Sequence, residues 1–359
     1  MINVRVTQLK LTHFRCFEQE FCLDIEQPIV LISGANGTGK TALAEALYCG
    51  CFARSFRTHI PRELIHFDHD HACIDLTFFT EGATQQLHMG IGAQRKVIRI
   101  DGRVPFRARE LLRYFPVIVT SESDMQIITG GPAVRRTFID QFLLLSNPDY
   151  VDLLHRLQVI VANRTALLQR VDLLDHDVFR HWTRALWEQT LLIQTKRREA
   201  LNIIAGTATH ILIGVLDSLL EINYAPRIVL NEQFDVFLER NALLFAQEKR
   251  QRRTLFGAHL DDVMFTFKGK PARFFASRGQ QKLLVGVLKS ALIRVLEESN
   301  IFPIIFFDDI MMDFDAHYLA KFIVILQNLG CQLFISCAQQ PQVLLSLLKA
   351  DRVQHIELG

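Results

Sequence analysis

Residues 34–41 combine glycines, a lysine and a threonine at a spacing that suits the binding of a polyphosphate. The eight residues are Gly34, Ala35, Asn36, Gly37, Thr38, Gly39, Lys40 and Thr41. Such a loop can wrap an anion with its backbone N–H groups, while the lysine reaches the β- and γ-phosphates and the threonine hydroxyl ligates Mg²⁺. The sequence therefore predicts that this loop binds a nucleoside triphosphate with Mg²⁺.

A second set of chemically suited residues lies far downstream, where the apolar run Ile304–Phe307 ends in Asp308 and Asp309. Carboxylates at the end of a buried strand lie where α/β folds bind ligands. We expect Asp308 to hold Mg²⁺ together with Thr41, and Asp309 to orient or deprotonate the attacking water. A strand that ends in an acidic residue is by itself weak evidence for such a site. Together with the loop at 34–41 it is strong evidence.

The third set is Ser277, Arg278, Gly279 and Gln280, which open a helix with an apolar face. Ser277 can cap this helix, and Gly279 lets the backbone approach a phosphate. The four residues are similar to the signature motif of ABC-type ATPases, which contacts the γ-phosphate held by a second subunit. The alternative is an ordinary helix cap. Asp313 and Asp315, shortly after the acidic strand end, resemble the D-loop of the same superfamily.

The elements around these residues alternate between strands and helices at both ends of the chain. Ile29–Ile32 predicts the strand before the loop and Ala42–Tyr48 the helix after it, and the last third repeats this pattern. In the middle of the chain glycine nearly vanishes and apolar residues recur every three or four positions, which predicts helices. We therefore expect an α/β head with a P-loop, formed by 1–130 and 248–359 and split by a helical arm at 131–247.

Composition and charge limit the classes of protein to consider. The 359 residues carry a formal net charge of only +2, so any nucleic-acid binding would depend on local patches. Because 49% of the residues are hydrophobic, a disordered chain is excluded. No stretch approaches the ~18 uncharged apolar residues of a membrane span, and the start Met1–Val6 lacks the features of a signal peptide. Seven cysteines without a CxxC pair suit reduced thiols in the cytoplasm.

Two basic stretches are candidates for contacts with DNA phosphates. They contain Arg54 and Arg57, and further on Arg95, Lys96, Arg99 and Arg103. Clusters of arginine and lysine bind the nucleic-acid backbone without reading its sequence. A solvated sheet edge and helix face explains the longer run equally well.

Histidines and acids are interleaved just before a predicted strand. His66, His69 and His71 lie among Asp68 and Asp70. Such side chains suit several transition metals. The competing interpretation, which the position in a loop favours, is a solvated surface turn.

With a head split by a helical insertion and three motifs in this order, the chain resembles the RecF family of bacterial recombination and repair ATPases over its whole length. Further matches to motifs of that family are Leu9–Arg15 with "NFR", Ser55–Arg57 with "SFR", Glu122–Asp124 with "PED", Gly131–Asp140 with "GxPxxRRxFLD", Gly257–Asp262 with "GPHRDD" and Ser277–Lys282 with the signature. Departures from the family pattern are Ser121, Ser123, Ala258, Leu260, and Ser336-Cys337 near the position of a strand-end histidine. These changes bear on the rate of hydrolysis more than on ATP binding.

The resemblance implies an ATP-dependent DNA-binding protein of recombinational repair and replication restart. Such a protein binds single-stranded, gapped or junction DNA, helps to load the strand-exchange recombinase with RecR and RecO as partners, and forms an ATP-dependent homodimer with slow, DNA-stimulated hydrolysis. Two other classes remain as alternatives. An ATPase subunit of a transporter would need membrane-coupling features, and an SMC-like structural ATPase would need a long heptad repeat that leaves the head.

Overall fold

Continuous and alternating apolar runs of the sequence form two kinds of β-sheet in the computed structural model of the chain. The structure describes residues 2–80, 82–104, 109–170, 175–216, 218–230, 232–309, 316–338, 340–348 and 350–359. Contacts between residues divide the chain into two units. Unit 1 consists of Met1–Met125, Ile211–Asp217 and Ser277–Gly359, and unit 2 consists of Gln126–His210 and Ser218–Ala276.

Strands and helices follow one another along the chain in runs of one to four elements. Up to residue 125 the elements are β1 (Ile2–Asn3), β2 (Arg5–Thr12), β3 (Phe21–Asp24), β4 (Ile29–Gly34), α1 (Lys40–Phe52), β5 (His71–Thr80), β6 (Ala83–Gly92), β7 (Lys96–Ile100), α2 (Arg109–Tyr114) and β8 (Val117–Thr120). From residue 126 to 276 they are α3 (Gln126–Thr129), α4 (Pro132–Ser146), α5 (Tyr150–Gln169), α6 (His176–Leu216), β9 (Leu220–Ala225), α7 (Phe234–Arg240), α8 (Ala242–Gln251), β10 (Asp262–Phe267), β11 (Lys270–Pro271) and α9 (Ala272–Phe275). The remaining elements are α10 (Arg278–Glu298), β12 (Ile301–Phe302), β13 (Ile304–Phe307), α11 (Ala316–Gln327), β14 (Leu333–Cys337), α12 (Pro341–Leu347) and β15 (Val353–Leu358).

A parallel sheet in unit 1 gathers the strand ends that carry the predicted site. Its five strands lie in the order β15-β4-β14-β13-β8, and every neighbouring pair is parallel. β13 and β14 are buried along their whole length, as continuous apolar runs predict. Because parallel strands end at the same edge of a sheet, the ends of β4, β14 and β13 lie side by side.

An antiparallel sheet, also in unit 1, has the strand order β3-β2-β5-β6-β7. Buried and more exposed positions alternate along β2 and β5, with Leu9 opposite Leu76 and Leu11 opposite Ile74. This alternation buries one face of the sheet and leaves the other face to polar side chains. Unit 1 therefore joins a buried parallel sheet to a half-exposed antiparallel one.

Unit 2 joins long helices to a small antiparallel sheet. α4, α5 and α6 explain the helical periodicity of the middle of the chain, and β9, β10 and β11 form a sheet in the order β11-β10-β9. The domain limits read from the sequence stay a prediction. Unit 2 differs from the predicted arm mainly because it includes 248–276, where β10 pairs with β9 along its whole length. Within the described residues, no helix is long and apolar enough to cross a membrane.

A fully buried ion pair joins α5 to α8 in unit 2. The Arg164 and Glu248 side chains are both 0% exposed, with Nη2 2.5 Å from Oε2, and the guanidinium lies 4.6 Å from the Phe179 ring centroid. Arg164→Ala leaves a buried carboxylate without its counter-charge, so we expect the free energy of unfolding of unit 2 to fall by about 3–5 kcal/mol. Urea unfolding followed by tryptophan fluorescence measures this, because Trp182 and Trp187, the chain's two tryptophans, both lie in α6.

Arg180→Ala is the matched control for this substitution. Arg180 pairs with Asp235 at 2.6 Å, but the two side chains are 54% and 68% exposed. Exposed pairs contribute about 0–1 kcal/mol, because water screens both charges. Equal losses of stability in the two variants would contradict the role assigned to the buried pair.

Candidate functional site

The phosphate loop lies between the end of β4 and the first turn of α1. Gly39 precedes the helix with φ 104°, and a Cβ at this position would lie 2.6 Å from Phe17 Cζ, so the site requires glycine. α1 begins at Lys40, whose Nζ donates to the carbonyl oxygens of Gly34 and Ala35, both at 2.7 Å. The ammonium group is therefore held within the loop, near the helix N-terminus that favours an anion.

Asp308 connects this loop to the neighbouring strands. Its Oδ2 accepts a hydrogen bond from the Thr41 hydroxyl at 2.6 Å, and its Oδ1 accepts one from the Ser336 hydroxyl at 2.6 Å. The Asp308 N–H donates to Thr120 O, at the end of β8, at 2.8 Å. A hydroxyl beside a carboxylate supplies the oxygen ligands that Mg²⁺ prefers. The structure thus brings together Thr41 and Asp308, as their predicted shared role requires.

Asp309 follows directly but has a different environment. Its backbone has φ 48°, and its N–H donates to Ser336 Oγ at 2.8 Å. Its carbonyl oxygen accepts a hydrogen bond from Lys282 Nζ at 3.2 Å. Burial raises the pKa of the Asp309 carboxyl, and the Asp308 charge adds to this rise. The nearby charges of Lys282 and Lys40 oppose the rise in pKa. A carboxylate with a raised pKa is a stronger base, which suits the role predicted for Asp309.

Ser336 is a residue of this site whose role the sequence did not reveal. In the sequence it only marked the lack of a strand-end histidine, whereas in the structure it is fully buried on β14, between β4 and β13. Its single hydroxyl donates to Asp308 and accepts from the Asp309 N–H. A lone serine in an apolar strand was the available signal, and its meaning depends on which strands flank it.

Ser336→Ala is expected to slow ATP hydrolysis at saturating Mg²⁺ by about one to two decades. The substitution removes one hydrogen bond to a carboxylate and one acceptor of a backbone N–H, and a hydrogen bond to a charged group contributes about 1.5–3 kcal/mol. Phosphate release over a Mg²⁺ titration measures the effect. Ser346→Ala is the control, since the Ser346 hydroxyl bonds within its own helix, to Val343 O. Equal rates in both variants would contradict the positioning role.

A fully buried carboxylate, Glu45 on α1, organises another part of unit 1 and is 0% exposed. Arg15 donates to it twice, from Nε at 2.7 Å and from Nη2 at 2.6 Å. Ser55 Oγ also donates to it, and Arg57 Nη1 lies 3.7 Å from its Oε2. Three segments that are separate in the sequence, around Arg15, Glu45 and Ser55, therefore meet at one carboxylate.

A cavity of about 790 Å³ is bounded by the phosphate loop and both acids. Its lining includes Asn36, Gly37, Gly39, Lys40, Thr41, Asp308, Asp309, Arg15, Arg57, His66 and Phe67. The size falls within the range of ligand pockets, which is roughly 300–1,000 Å³. His66 is buried and Phe67 is 76% exposed. The cavity therefore combines an anion-binding loop with one exposed aromatic ring that can contact a nucleobase.

The histidine-rich turn contributes His66 to this cavity. The other two histidines of the turn contact His13, which follows β2. His13 stacks on His69 with centroids 3.5 Å apart and an interplanar angle of 5°, and His71 meets His13 edge-on at 5.5 Å. Among the residues that the structure describes, no three His, Cys, Asp or Glu are placed to hold one metal ion. The geometry thus favours stacked rings over convergence on a common point.

The signature-like residues form the start of α10. Ser277 Oγ accepts from the Gln280 N–H at 3.3 Å, and Gln280 Oε1 accepts from the Ser277 N–H at 3.0 Å, which is a capping box. The helix-cap interpretation therefore describes the local geometry. The capping box uses the Ser277 hydroxyl as an acceptor and does not use its proton. This geometry is therefore compatible with donation of that proton to a phosphate.

The other predicted motif residues differ in how the structure places them. Arg278 Nη2 lies 3.4 Å from Glu122 Oε1, and both side chains are exposed. Gly279 is the second residue of α10. Asp313 and Asp315, assigned to a D-loop, lie outside the described residues.

The six basic residues predicted to contact DNA do not share one strand face. Lys96 and Arg99 lie on opposite faces of β7, because side chains alternate along a strand. Arg57 lines the cavity beside Glu45. The other three, Arg54, Arg95 and Arg103, are exposed. Their role in DNA binding stays a prediction.

Comparisons with known proteins agree with this arrangement. Residues 5–355 match the model of the family described as RecF/RecN/SMC N terminal domain. A DNA replication and repair protein RecF of Oceanobacillus iheyensis is 29% identical over 346 residues, which cover 93% of this chain and 93% of that protein.

Solved structures show the same fold. The recombination mediator protein RecF-ATPrS in RecFOR pathway gives a TM-score of 0.85 at 22% identity and covers 99% of this chain and 96% of that chain. The Smc head domain derived from Pyrococcus furiosus, with an extended coiled coil and bound to the C-terminal domain of ScpA, gives 0.59 at 13% identity and covers 99% and 94%. The predicted α/β class, an ABC-type ATPase head, and the predicted resemblance to RecF are confirmed. Because the family model spans nearly the whole sequence, the chain belongs to the RecF/RecN/SMC N-terminal domain family.

Proposed function

We propose that the chain is an ATP-dependent DNA-binding protein of recombinational repair and replication restart. In this proposal ATP and Mg²⁺ bind at 34–41 and Asp308, a second copy closes over the γ-phosphate, and slow hydrolysis releases that copy. The DNA is single-stranded, gapped or a duplex junction, and the result is the loading of the strand-exchange recombinase. The relative named DNA replication and repair protein RecF supports this function.

The observation that carries the proposal is the hydrogen bond between Thr41 and Asp308, which are 267 positions apart in the sequence. A glycine-rich loop or an acid at a strand end occurs for other reasons when it stands alone. In contact with each other, and beside a cavity of about 790 Å³, they supply the anion cradle and the metal ligands that phosphoryl transfer requires.

Each residue has a role that its position allows. The Lys40 ammonium, shared by two carbonyl oxygens, can turn to the β- and γ-phosphates. Thr41 and Asp308 hold Mg²⁺, which neutralises charge on the phosphates. Asp309 orients the attacking water or takes its proton, and Ser336 keeps the two aspartates in their relative positions.

Partners and location follow from the same proposal. A solved relative is described as acting in the RecFOR pathway, which supports mediators of the RecR and RecO type as partners. Action on bacterial DNA places the protein in the cytoplasm. The exposed arginines of 95–103 are the candidates for phosphate contacts in unit 1.

Binding to gapped DNA compared with blunt duplex tests this function. Fluorescence anisotropy is measured on labelled DNAs of equal length with ATP, with ADP and without nucleotide. We expect ATP to strengthen binding to the gapped DNA more than binding to the duplex. Affinity should fall steeply with salt, because phosphate contacts release counterions. Binding that is the same with ATP and ADP would contradict the proposal.

Lys40→Ala is expected to abolish tight ATP binding while the fold is retained. The lysine is a phosphate ligand, and its ammonium group bonds to two carbonyls of the loop, so the free energy of unfolding should change by no more than about 1–2 kcal/mol. Binding of a fluorescent ATP analogue measures the loss. Lys249→Ala, in unit 2, is the control. Nucleotide binding that survives in the Lys40 variant would refute the assignment of the loop.

A further inference from the structure

The segment Lys268–Phe275, called the basic-aromatic segment below, is exposed on unit 2 although it contains two large apolar rings. Phe274 is 74% exposed and Phe275 is 61% exposed. Single exposed apolar side chains are common in folded proteins. Two adjacent phenylalanines with three cations in eight residues form a surface of more specific chemistry, and neither the phosphate site nor the signature motif uses it.

The backbone presents this segment in a defined form. Lys268 and Gly269 link β10 to β11 with φ angles of 52° and 72°, and Phe267 pairs with Lys270 on either side of them. A two-residue link with both φ angles positive is a tight hairpin turn that matches the twist of its strands. α9 follows at once, and Ala272 at its start is 0% exposed. The short helix is thus anchored by a small buried side chain while its larger side chains stay in solvent.

Cations lie over both exposed rings. Lys270 Nζ is 5.1 Å from the Phe275 ring centroid, and Arg273 Cζ is 5.4 Å from the Phe274 ring centroid. Within about 6 Å a cation is attracted to the face of an aromatic ring. Apolar faces and positive charges therefore occupy the same small surface.

Acidic residues are absent from the sequence around this segment and distant in its sheet. The sequence contains no aspartate or glutamate between Asp262 and Glu297. Across the sheet the nearest strand position with an acid is Glu221 on β9, opposite Thr266, and β9 is two strands away from β11. At about 4.8 Å per strand, the two backbones are roughly 10 Å apart. The eight residues of the basic-aromatic segment themselves carry three cations and no acid.

We propose that the basic-aromatic segment is a binding site for single-stranded nucleic acid. Bases stack on Phe274 and Phe275, and Lys268 and Lys270, with Arg273, contact the phosphates between them. Proteins that bind single strands combine aromatic rings with cations in this way, and the stacking is tolerant of sequence. The proposal deepens the proposed function and rests on it, because single-stranded DNA is already among the ligands named there; it adds a site on unit 2 that does not involve ATP.

The chemistry favours this ligand over other occupants. Bases in a duplex already stack on each other, so they cannot lie on an exposed phenylalanine ring without being unpaired. A polyanion also matches a stretch of sequence that carries three cations and no acid. A contact with a second copy of the chain would bury the rings as well. Measuring both oligothymidylate binding and ATP-dependent dimerisation distinguishes the two occupants.

The rings are tested with fluorescein-labelled oligothymidylate and no nucleotide. We expect Phe274→Leu with Phe275→Leu to weaken binding about ten- to a hundred-fold, because leucine keeps the apolar bulk and loses the flat face. Phe274→Trp should retain binding, and its emission should be quenched when the oligonucleotide is added. Leu243→Ala, at an 82% exposed apolar position of unit 2, is the control and should bind as the unaltered protein does.

The cations are tested through the salt dependence of the same binding. Lys268→Ala with Lys270→Ala should reduce the slope of log K against log salt by about 0.7 for each phosphate that the protein no longer touches. Arg250→Ala, at an exposed position of α8, should leave the slope unchanged. Full binding by the leucine variant, or no binding of oligothymidylate by the unaltered protein, would overturn the proposal.

Two further outcomes separate this site from the proposed function. Lys40→Ala should bind oligothymidylate normally. A loss of ATP binding can therefore be distinguished from a loss of oligothymidylate binding. If the leucine variant binds oligothymidylate normally but no longer dimerises with ATP, the basic-aromatic segment is a contact between copies, and the nucleic-acid proposal is wrong.

Discussion

Replacing Asp309 by asparagine is expected to slow ATP hydrolysis by about two to four decades, which is the usual contribution of a positioned general base to the rate. ATP binding should stay intact. The two neighbouring aspartates have different contacts. Asp308 accepts hydrogen bonds from Thr41 and Ser336 through its carboxylate, whereas Asp309 contacts Ser336 through its backbone N–H. Single-turnover phosphate release measures the rate, and a fluorescent ATP analogue measures the binding.

Asp308→Asn is the matched comparison, because it makes the same chemical change one residue away. It removes a charge from the proposed Mg²⁺ site, so we expect weaker Mg²⁺-dependent nucleotide binding. Swapped results, with binding lost in the Asp309 variant and hydrolysis alone lost in the Asp308 variant, would refute the roles assigned to the two residues.

The pH dependence of hydrolysis gives a second test of Asp309. A base acts in its deprotonated form, so activity is lost as the pH falls through its pKa. Because burial raises the pKa of Asp309, the loss should begin at a higher pH than for a solvated aspartate. The charge of Lys282 lowers this pKa, so Lys282→Ala should move the loss of activity to a still higher pH. A shift to lower pH would contradict the assignment.

Ser277→Arg is expected to prevent ATP-dependent dimerisation while each chain still binds ATP. We propose that a second head, related by a two-fold axis, presents its own Ser277 and Gly279 to the γ-phosphate, so that the contact is made twice. ATP then favours the dimer because it contacts both heads, and hydrolysis removes the phosphate that joins them. We expect a monomer without nucleotide, a dimer with ATP in the Asp309→Asn background, and a monomer with ADP.

Light scattering on the Asp309→Asn protein with and without Ser277→Arg measures this assembly. The arginine also removes the helix cap, which costs about 1 kcal/mol, so the fold should survive. Ser299→Arg, in which the same change is made at the exposed C-terminal end of α10, is the control and should dimerise. A Ser277→Arg protein that dimerises normally with ATP would refute the proposed arrangement.

The phosphate loop could be predicted from the sequence because its geometry is local. Glycines, Lys40 and Thr41 lie within eight residues, and a strand and a helix flank them on either side. The strand Ile304–Phe307 could also be predicted from local sequence, since a continuous apolar run that ends in acids predicts a buried strand with a polar end. Ser277 was recognised as a cap for the same reason: its partner Gln280 is three residues away.

Contacts between distant segments could not be predicted in this way. Glu45 lies within the predicted helix Ala42–Tyr48, and only the fold shows that Arg15 and Ser55 meet it. The basic run around Lys96 and Arg99 looked like one patch, and the pleat of β7 separates the two side chains. Sequence spacing shows neither result, because partners and faces depend on which strand lies beside which.

By itself the sequence determined that the chain has a phosphate loop, an acid-ended strand, a capped helix and a helical insertion, because each depends on residues close together in the chain. The tertiary structure decided the site. It placed β14 between β4 and β13, and so joined Thr41 and Ser336 to the Asp308 carboxylate through two hydrogen bonds of 2.6 Å. Strand order arises from the packing of the whole sheet, and no local pattern of residues encodes it.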